Sequence, residues 1–128
     1  MATRILVVDD VIDIAESLAL LFSGMGHVAR TAFDGVQALE VAEVFRPQIV
    51  LLDLVMPRLD GFHVAAALRS APQGAPPYLI ALTASSGASV NTAVRAAGFD
   101  TYLCKPADIM TLISIVTDVS GRLQQQQE

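Results

Sequence analysis

The feature that most constrains this chain is the alternation of short apolar runs with stretches of helical periodicity along its whole length. The predicted strands cover residues 4–8, 27–31, 49–52, 79–82 and 101–103. Strands that alternate with helices indicate a parallel sheet with helices on both faces. Continuously apolar strands are typical of sheets buried on both sides. We therefore predict an α/β chain of five strand–helix units, a doubly wound parallel sheet.

The predicted helices are recognised by apolar residues that recur every three or four positions. Their apolar stripes are Ile14, Leu18, Leu21 and Met25; Ala38, Val41, Ala42 and Phe45; Val90, Ala93, Val94 and Ala97; and Ile109, Leu112, Ile113, Val116 and Val119. A further helix is predicted from Gly61 to about Arg69, followed by a loop at 71–77. We expect one domain over residues 1–121 and a polar tail over 122–128, frayed from Gln124.

Composition excludes several classes of protein. The chain has 128 residues, a net charge of −5 and scattered arginines, so a direct nucleic-acid binder is not expected. No apolar run approaches the ~20 residues that span a bilayer, and the N-terminus does not resemble a secretory signal. The single cysteine, Cys104, cannot form an intrachain disulfide. These features favour a cytoplasmic protein with no membrane insertion.

Polar side chains follow the apolar runs where the strands end. Asp9 and Asp10 come directly after the first strand, Asp53 after the third, Thr83 after the fourth and Lys105 just past the fifth. Open parallel sheets bind ligands beyond the carboxyl ends of their strands, where the strand order reverses. In the flavodoxin-like order 2-1-3-4-5, that point lies between strands one and three. We expect the three aspartates to converge there.

Three crowded carboxylates persist only if a cation or a proton offsets their charge. Oxygen-only ligands suit a hard ion such as Mg²⁺. A carboxylate nucleophile, a divalent metal, the ammonium of Lys105 and the hydroxyl of Thr83 are the parts needed to form an aspartyl phosphate. Each residue alone has a structural alternative as a turn, cap or solvated loop residue, and Asp34 and Asp60 are expected to be such caps.

Four segments closely resemble the receiver domain of two-component response regulators, over residues 3 to about 120. They are RILVVDD at 4–10, IVLLDLVMPRLDG at 49–61, LIALTA at 79–84 and GFDTYLCKP at 98–106. The resemblance implies that Asp53 is the phosphoacceptor. It further implies that Asp10 and Asp53 bind Mg²⁺ (or Mn²⁺) directly, Asp9 through water, and Val55 through its backbone carbonyl.

The same resemblance implies roles for residues of the fourth and fifth strands. Lys105 would bind the phosphoryl oxygens, Thr83 would hydrogen-bond one of them after transfer, and the Ala84 N–H would help to hold the group. Tyr102 occupies the switch-aromatic position, and Pro106 follows a peptide bond that the family favours in the cis form. Val55 lies two residues past Asp53, and Ser85 lies two past Thr83; family members often use these two positions to tune the phosphoryl lifetime.

The function implied is a phosphoryl-accepting switch. The phosphoryl donor would be a histidine kinase or a histidine phosphotransfer protein, and the domain would catalyse only its own phosphorylation and dephosphorylation. With no output domain in the sequence, we expect the signal to leave through helix 4, strand 5 and helix 5, toward a protein target or a second copy. A free-standing regulator and a receiver from a larger protein both fit.

Three other functions share some features with this sequence pattern. An aspartate-nucleophile phosphatase uses similar groups, but its second aspartate lies two residues past the first, whereas Asp9 and Asp10 are adjacent. A flavin carrier would need glycines and hydroxyls after the first strand, where residues 9–13 are acidic. A degenerate receiver that binds partners without phosphorylation is disfavoured by the intact acids and lysine.

Overall fold

The computed structural model describes residues 2–56, 60–70, 76–84 and 87–126, and within these ranges strands alternate with helices throughout. The strands are β1 Arg4–Val8, β2 Val28–Ala32, β3 Ile49–Asp53, β4 Tyr78–Thr83 and β5 Thr101–Cys104. The helices are α1 Ile12–Gly24, α2 Gly35–Phe45, α3 Gly61–Arg69, α4 Ala88–Ala96 and α5 Ile109–Gln126. The predicted five strand–helix units are confirmed.

The strands form one parallel sheet in the order β2-β1-β3-β4-β5, as the flavodoxin-like prediction required. Strand β1 pairs with β2 on one side and with β3 on the other, with Val8 opposite both Ala32 and Leu52. The chain therefore winds outward in one direction from β1 and in the other from β3. The reversal lies between the ends of these two strands, where Asp9 and Asp53 were predicted to meet.

Each face of the sheet carries its own hydrophobic cluster. Helices α1 and α5 cover one face, where Phe22 and Leu112 are fully buried against Ile5, Leu51 and Ile80. Helices α2, α3 and α4 cover the other face. That side buries Ala38, Ala42, Val64, Leu68 and Val94 against Leu6, Val50, Leu52 and Leu79. The three central strands are consequently buried on both sides, which explains their continuous apolar sequences.

The predicted apolar stripe of α1 was correct at Leu18 and Met25, which pack in the hydrophobic cluster, and wrong at Ile14, while Leu21 is only half-buried. We predicted burial of Ile14, Leu18, Leu21 and Met25. The buried residues are Ala15, Leu18 and Phe22, while Ile14 is 41% exposed. Apolar residues occur on most sides of this helix, so the spacing alone fits two stripes, and the large Phe22 ring occupies the space against the sheet. Ala93 of α4 is likewise exposed although it was predicted to be buried.

Among the ends of the helices and strands, the largest difference from the prediction is at the C-terminus. Helix α5 continues through Gln126, so the expected fraying from Gln124 is wrong for residues 124–126. Glutamine is a good helix former, which favours this continuation. The predictions for Ser85 and for residues 71–75 and 127–128 lie outside the described residues. In the parts of the chain that are described, no helix is long and apolar enough to cross a membrane.

Candidate phosphoryl-acceptor site

The sheet brings the predicted site residues to its carboxyl edge. Asp9 directly follows β1 and is fully buried, and Asp53 is the last residue of β3 and is 7% exposed. Lys105 directly follows β5, and its backbone N–H donates to the carbonyl of Thr83 at 2.7 Å. Backbone pairing at strand ends therefore places the two buried acids and the lysine on one edge.

Three carboxylates form an acidic cluster at this edge: Asp9, Asp10 and Asp53. One oxygen from each lies within 4.8 Å of the others. Asp9 and Asp53 are buried, whereas Asp10 is exposed to solvent. An all-oxygen donor set that is open on one side suits a divalent ion that keeps some of its water, such as Mg²⁺. The cluster can hold a metal ion, and the predicted convergence is confirmed.

The Lys105 ammonium bridges two acids of the cluster. Its Nζ lies 2.9 Å from Asp53 Oδ2 and 3.1 Å from Asp9 Oδ2. Burial lowers the pKa of Lys105, but the hydrogen bonds and charges of the two acids outweigh this effect, so the pKa is raised overall. The lysine remains a cation and offsets part of the charge of the cluster.

Asp53 has a higher pKa than an ordinary aspartate. Burial is the main cause, and the negative charge of Asp9 adds to it. The hydrogen bonds from Lys105 and from the Val55 N–H, together with the charge of Lys105, lower the pKa but do not offset the burial. The carboxylate is thus partly desolvated and held in one orientation, as a nucleophile must be.

Local turns orient both buried acids. The N–H of Val11 donates to Asp9 Oδ1 at 2.9 Å, and the N–H of Val55 donates to Asp53 Oδ1 at 3.2 Å. In each case the chain turns back over the carboxylate, so that the N–H two residues past the aspartate donates to it. The Val55 side chain itself is 78% exposed.

Gly61 is a supporting residue whose role the sequence analysis missed. A Cβ at this position would lie 2.7 Å from the carbonyl oxygen of Asp53 and 2.8 Å from the Cα of Leu54. Its N–H donates to the Leu54 carbonyl at 3.0 Å. The first turn of α3 therefore packs directly on the backbone that carries Asp53. The Asp60-Gly61 pair was the available signal, and Asp60 is the N-cap that we predicted, accepting from the His63 N–H.

The remaining predicted residues lie along β4 and β5. Thr83 is 6% exposed at the end of β4, and Ala84 follows it at the surface. Tyr102 lies opposite Ala81 in the β4–β5 pairing and is half-buried against the hydrophobic cluster of that face. The expected cis peptide bond between Lys105 and Pro106 is present. Tyr102 therefore lies within β5, closer to the amino ends of the strands than the acidic cluster is. Lys105 directly follows the same strand, three residues after Tyr102.

Comparison with known proteins identifies this arrangement. The family model described as the response regulator receiver domain matches residues 5–117. The chain belongs to the response regulator receiver domain family. It is a receiver domain of two-component signalling, which excludes the phosphatase and flavin-carrier interpretations. The five residues predicted at the sheet edge all lie within the matched range.

Curated relatives include response regulator MprA of Mycobacterium ulcerans (strain Agy99), 42% identical over 114 residues, which are 89% of this chain and 48% of that protein. MprA of Mycobacterium tuberculosis (strain ATCC 25177 / H37Ra) is 40% identical over 114 residues, which are 89% of this chain and 49% of that protein. The chain thus spans about half the length of the curated relatives that it matches.

Solved structures give the same fold. The receiver domain of the Francisella response regulator 1452 matches with a TM-score of 0.85 at 30% identity, covering 94% of this chain and 98% of that one. The chemotaxis response regulator CheY4 of Vibrio cholerae matches with a TM-score of 0.85 at 28% identity, covering 93% of this chain and 99% of that one. The receiver fold therefore extends over nearly the whole chain.

Proposed function

We propose that this receiver domain is phosphorylated on Asp53 with the help of Mg²⁺ and that the aspartyl phosphate changes its contacts with other proteins. The observation that carries the proposal is the environment of the Asp53 carboxylate. It touches the Lys105 ammonium and lies within reach of two further acids at the open edge of the sheet. Phosphoryl transfer to a carboxylate needs this combination of nucleophile and cations.

The transfer is a displacement at phosphorus. A carboxylate oxygen of Asp53 forms a bond to phosphorus while the bond from phosphorus to the donor, a phosphohistidine nitrogen or an acyl phosphate oxygen, breaks. Lys105 already lies 2.9 Å from Asp53, so its charge is placed to offset the phosphoryl oxygens as they arrive. The domain would act on no external metabolite, and hydrolysis of the acyl phosphate would return Asp53 to its starting state.

The metal would be held by the acidic cluster. Asp10 and Asp53 would bind Mg²⁺ (or Mn²⁺) directly, Asp9 through water, and the Val55 carbonyl would add an oxygen. When bound, the ion supplies positive charge that offsets both the acids and the phosphoryl oxygens. The fit is supported by the three carboxylate oxygens that lie within 4.8 Å of one another.

Thr83 and Ala84 would hold the phosphoryl group on the side of β4. The Thr83 hydroxyl and the Ala84 N–H are the donors assigned to it. Movement of Thr83 toward the group would open space beside β4, and Tyr102, one strand away, would turn to fill it. The half-buried position of Tyr102 is compatible with such a rotation. The affected surface is the output face, defined as α4, β5 and α5.

The partners follow from this chemistry. A histidine kinase or histidine phosphotransfer protein would supply the phosphoryl group, and a protein target or a second copy would bind the output face. The domain proper would comprise residues 1–121, with 122–128 as a polar C-terminal tail, and its setting would be cytoplasmic. The proposed switch relies on residues of the receiver domain alone. It does not draw on any activity of the longer relatives.

The test is intact mass spectrometry after incubation with acetyl phosphate and Mg²⁺. The wild-type chain should gain the mass of one phosphoryl group, and the gain should be lost at alkaline pH. Asp53→Asn should gain nothing, because an amide is not a nucleophile for this transfer. Asp60→Asn is the matched control, since Asp60 is the N-cap of α3 and does not belong to the acidic cluster.

Full, alkali-labile labelling of Asp53→Asn would overturn the assignment of the phosphoacceptor. Equal labelling of the wild-type chain in EDTA and in Mg²⁺ would overturn the role of the metal. A wild-type chain that acetyl phosphate and a panel of histidine phosphotransfer proteins all fail to label would identify it as a receiver that works without phosphorylation.

A further inference from the structure

A shallow depression lies between helix α2 and the edge strand β2, and none of its lining residues belongs to the acidic cluster. Its volume is about 360 Å³, and its lining residues are Arg30, Gln37, Glu40, Val41, Val44 and Phe45. On α2 these residues recur every three or four positions, so they form one stripe along the helix. We refer to this surface as the α2 depression.

The centre of the α2 depression is apolar and exposed. Val44 is 85% exposed, more than any other large apolar side chain in the described part of the chain. Val41 and Phe45 lie beside it and are half-buried. Together the three side chains form an apolar patch that is partly open to solvent, and exposed apolar patches mark surfaces that another molecule covers.

Two opposite charges border this apolar centre. The Arg30 guanidinium lies 5.1 Å from the centroid of the Phe45 ring, which holds it over the depression. Glu40 lies on the same stripe and is exposed. Among the described residues, neither Arg30 nor Glu40 forms an ion pair. The depression therefore presents one unpaired positive and one unpaired negative charge around an apolar patch.

We propose that the α2 depression binds a second copy of this chain, related to the first by a two-fold axis. In a two-fold contact the same patch is used by both copies, so it must be complementary to itself. Val44 of each copy would pack against the apolar centre of the other. Arg30 of each would pair with Glu40 of the other, giving two equivalent ion pairs. The charge complementarity of the patch with itself is what selects a second copy over an unrelated partner.

This association does not depend on phosphorylation. The α2 depression lies on the β2 side of the sheet, and the output face lies on the β5 side. Helix α5 has no lysine or arginine before Arg122, so this helix of the output face offers few charges for pairing between copies. The contact is thus separate from the proposed function, and Asp53→Asn should leave it unchanged.

Sedimentation equilibrium of the full chain tests the proposal, over about two decades of protein concentration without Mg²⁺ or a phosphoryl donor. The wild-type chain should shift from monomer to dimer as concentration rises. Val44→Asp should weaken dimerisation by roughly tenfold or more, because it places charge in an apolar contact. Leu20→Asp is the matched control, since Leu20 is 75% exposed on α1 and should have no effect.

Charge reversal gives a sharper test. Arg30→Glu alone and Glu40→Arg alone should each weaken the dimer, because each replaces two attractions with two repulsions. The double variant Arg30→Glu/Glu40→Arg should recover it, and an equimolar mixture of the two single variants should form a heterodimer. Glu43→Arg reverses an exposed charge of the same helix outside the depression and should leave the dimer unaffected.

A wild-type chain that stays monomeric over the whole concentration range would overturn the proposal. So would a dimer that Val44→Asp leaves intact, or a dimer that both single charge reversals weaken but the double variant fails to recover. A dimer that forms only after phosphorylation and persists in Val44→Asp would place the contact on the output face instead.

Discussion

The Lys105 ammonium lies 2.9 Å from a carboxylate oxygen of Asp53, and the same nitrogen lies 3.1 Å from Asp9. Without a metal, the lysine is therefore the cation that offsets the acidic cluster. A divalent ion bound by the same acids must share them with this ammonium. In the proposed switch, the two cations would compete electrostatically before phosphorylation, and both would face the phosphoryl oxygens after it.

The first prediction follows from this competition. Lys105→Met should bind Mg²⁺ more tightly than the wild-type chain, by roughly tenfold, because a neighbouring positive charge is removed. The same variant should be labelled more slowly by acetyl phosphate at saturating Mg²⁺, since the charge that offsets the arriving oxygens is lost. Metal titration at matched salt and a time course by intact mass check the two effects. Weaker Mg²⁺ binding in this variant would contradict the competition.

The second prediction concerns the exposed acid of the cluster. Asp10→Asn should lose most of its Mg²⁺ affinity, because a neutral amide replaces a charged ligand. Asp34→Asn is the matched control: it also removes one negative charge, but Asp34 caps α2 away from the cluster, and asparagine can cap as well. Equal titration curves for the two variants would show that only net charge matters and that Asp10 does not bind the ion.

Much of this site could be predicted because each polar residue directly follows an apolar run. Asp9, Asp53 and Lys105 mark the ends of β1, β3 and β5, so a correct strand order brings them together. The double contact of Lys105 with both acids could not be derived in the same way. It depends on how far the lysine side chain extends across the edge, which strand order does not specify.

Details of the structure that depend on packing could not be predicted from the sequence. In the buried stripe of α1, Ala15 and Phe22 take the places predicted for Ile14 and Leu21, because apolar side chains occur on most sides of the helix and only contact with the sheet selects between them. The role of Gly61 was missed for a similar reason. Its importance comes from the Asp53 carbonyl, eight residues earlier in the chain, and the Asp60-Gly61 pair indicates a helix start but not that close approach.

The third prediction concerns this close approach. Gly61→Ala should destabilise the fold by about 1–3 kcal/mol, because its Cβ would lie 2.7 Å from the Asp53 carbonyl oxygen and the backbone must move. It should also slow phosphorylation, since the displaced backbone carries the nucleophile. Gly24→Ala is the control, as a Cβ there has nothing within 4 Å. Urea unfolding of both variants measures the difference. Equal stability would indicate that α3 can shift without cost.

The fourth prediction concerns the pH dependence of the α3 cap. The pKa of Asp60 is lowered, first by the His63 backbone N–H and then by the His63 side chain. Because the folded-state pKa lies below the ordinary value of 3.8, the stabilisation is present above that value and is lost as pH falls through the lowered pKa. Asp60→Ala should therefore cost about 1 kcal/mol at neutral pH, and the difference should shrink in acid.

Urea unfolding of the wild-type chain and Asp60→Ala between about pH 7 and pH 3 measures this difference. Asp60→Asn is the control, because its amide caps the helix without titrating. A gap between wild type and Asp60→Ala that stays constant down to the lowest pH would contradict a role for the charged carboxylate.

The last prediction concerns the output face. If Thr83 moves toward the phosphoryl group and Tyr102 follows, the change must spread along β4 and β5, because the two residues lie on neighbouring paired strands. Amide NMR spectra with beryllofluoride and Mg²⁺ should therefore shift at the acidic cluster and along residues 83–110.

Two variants separate the steps of this route. Thr83→Ala should keep the shifts near Asp53 and lose most of those around Tyr102, since the hydroxyl that draws β4 inward is absent. Tyr102→Leu should lose the distal shifts while leaving those of Thr83. Shifts confined to the phosphoryl pocket in the wild-type chain would exclude this route, and the assignment of Asp53 would be unaffected, because binding at the site and its transmission along β5 are separate steps.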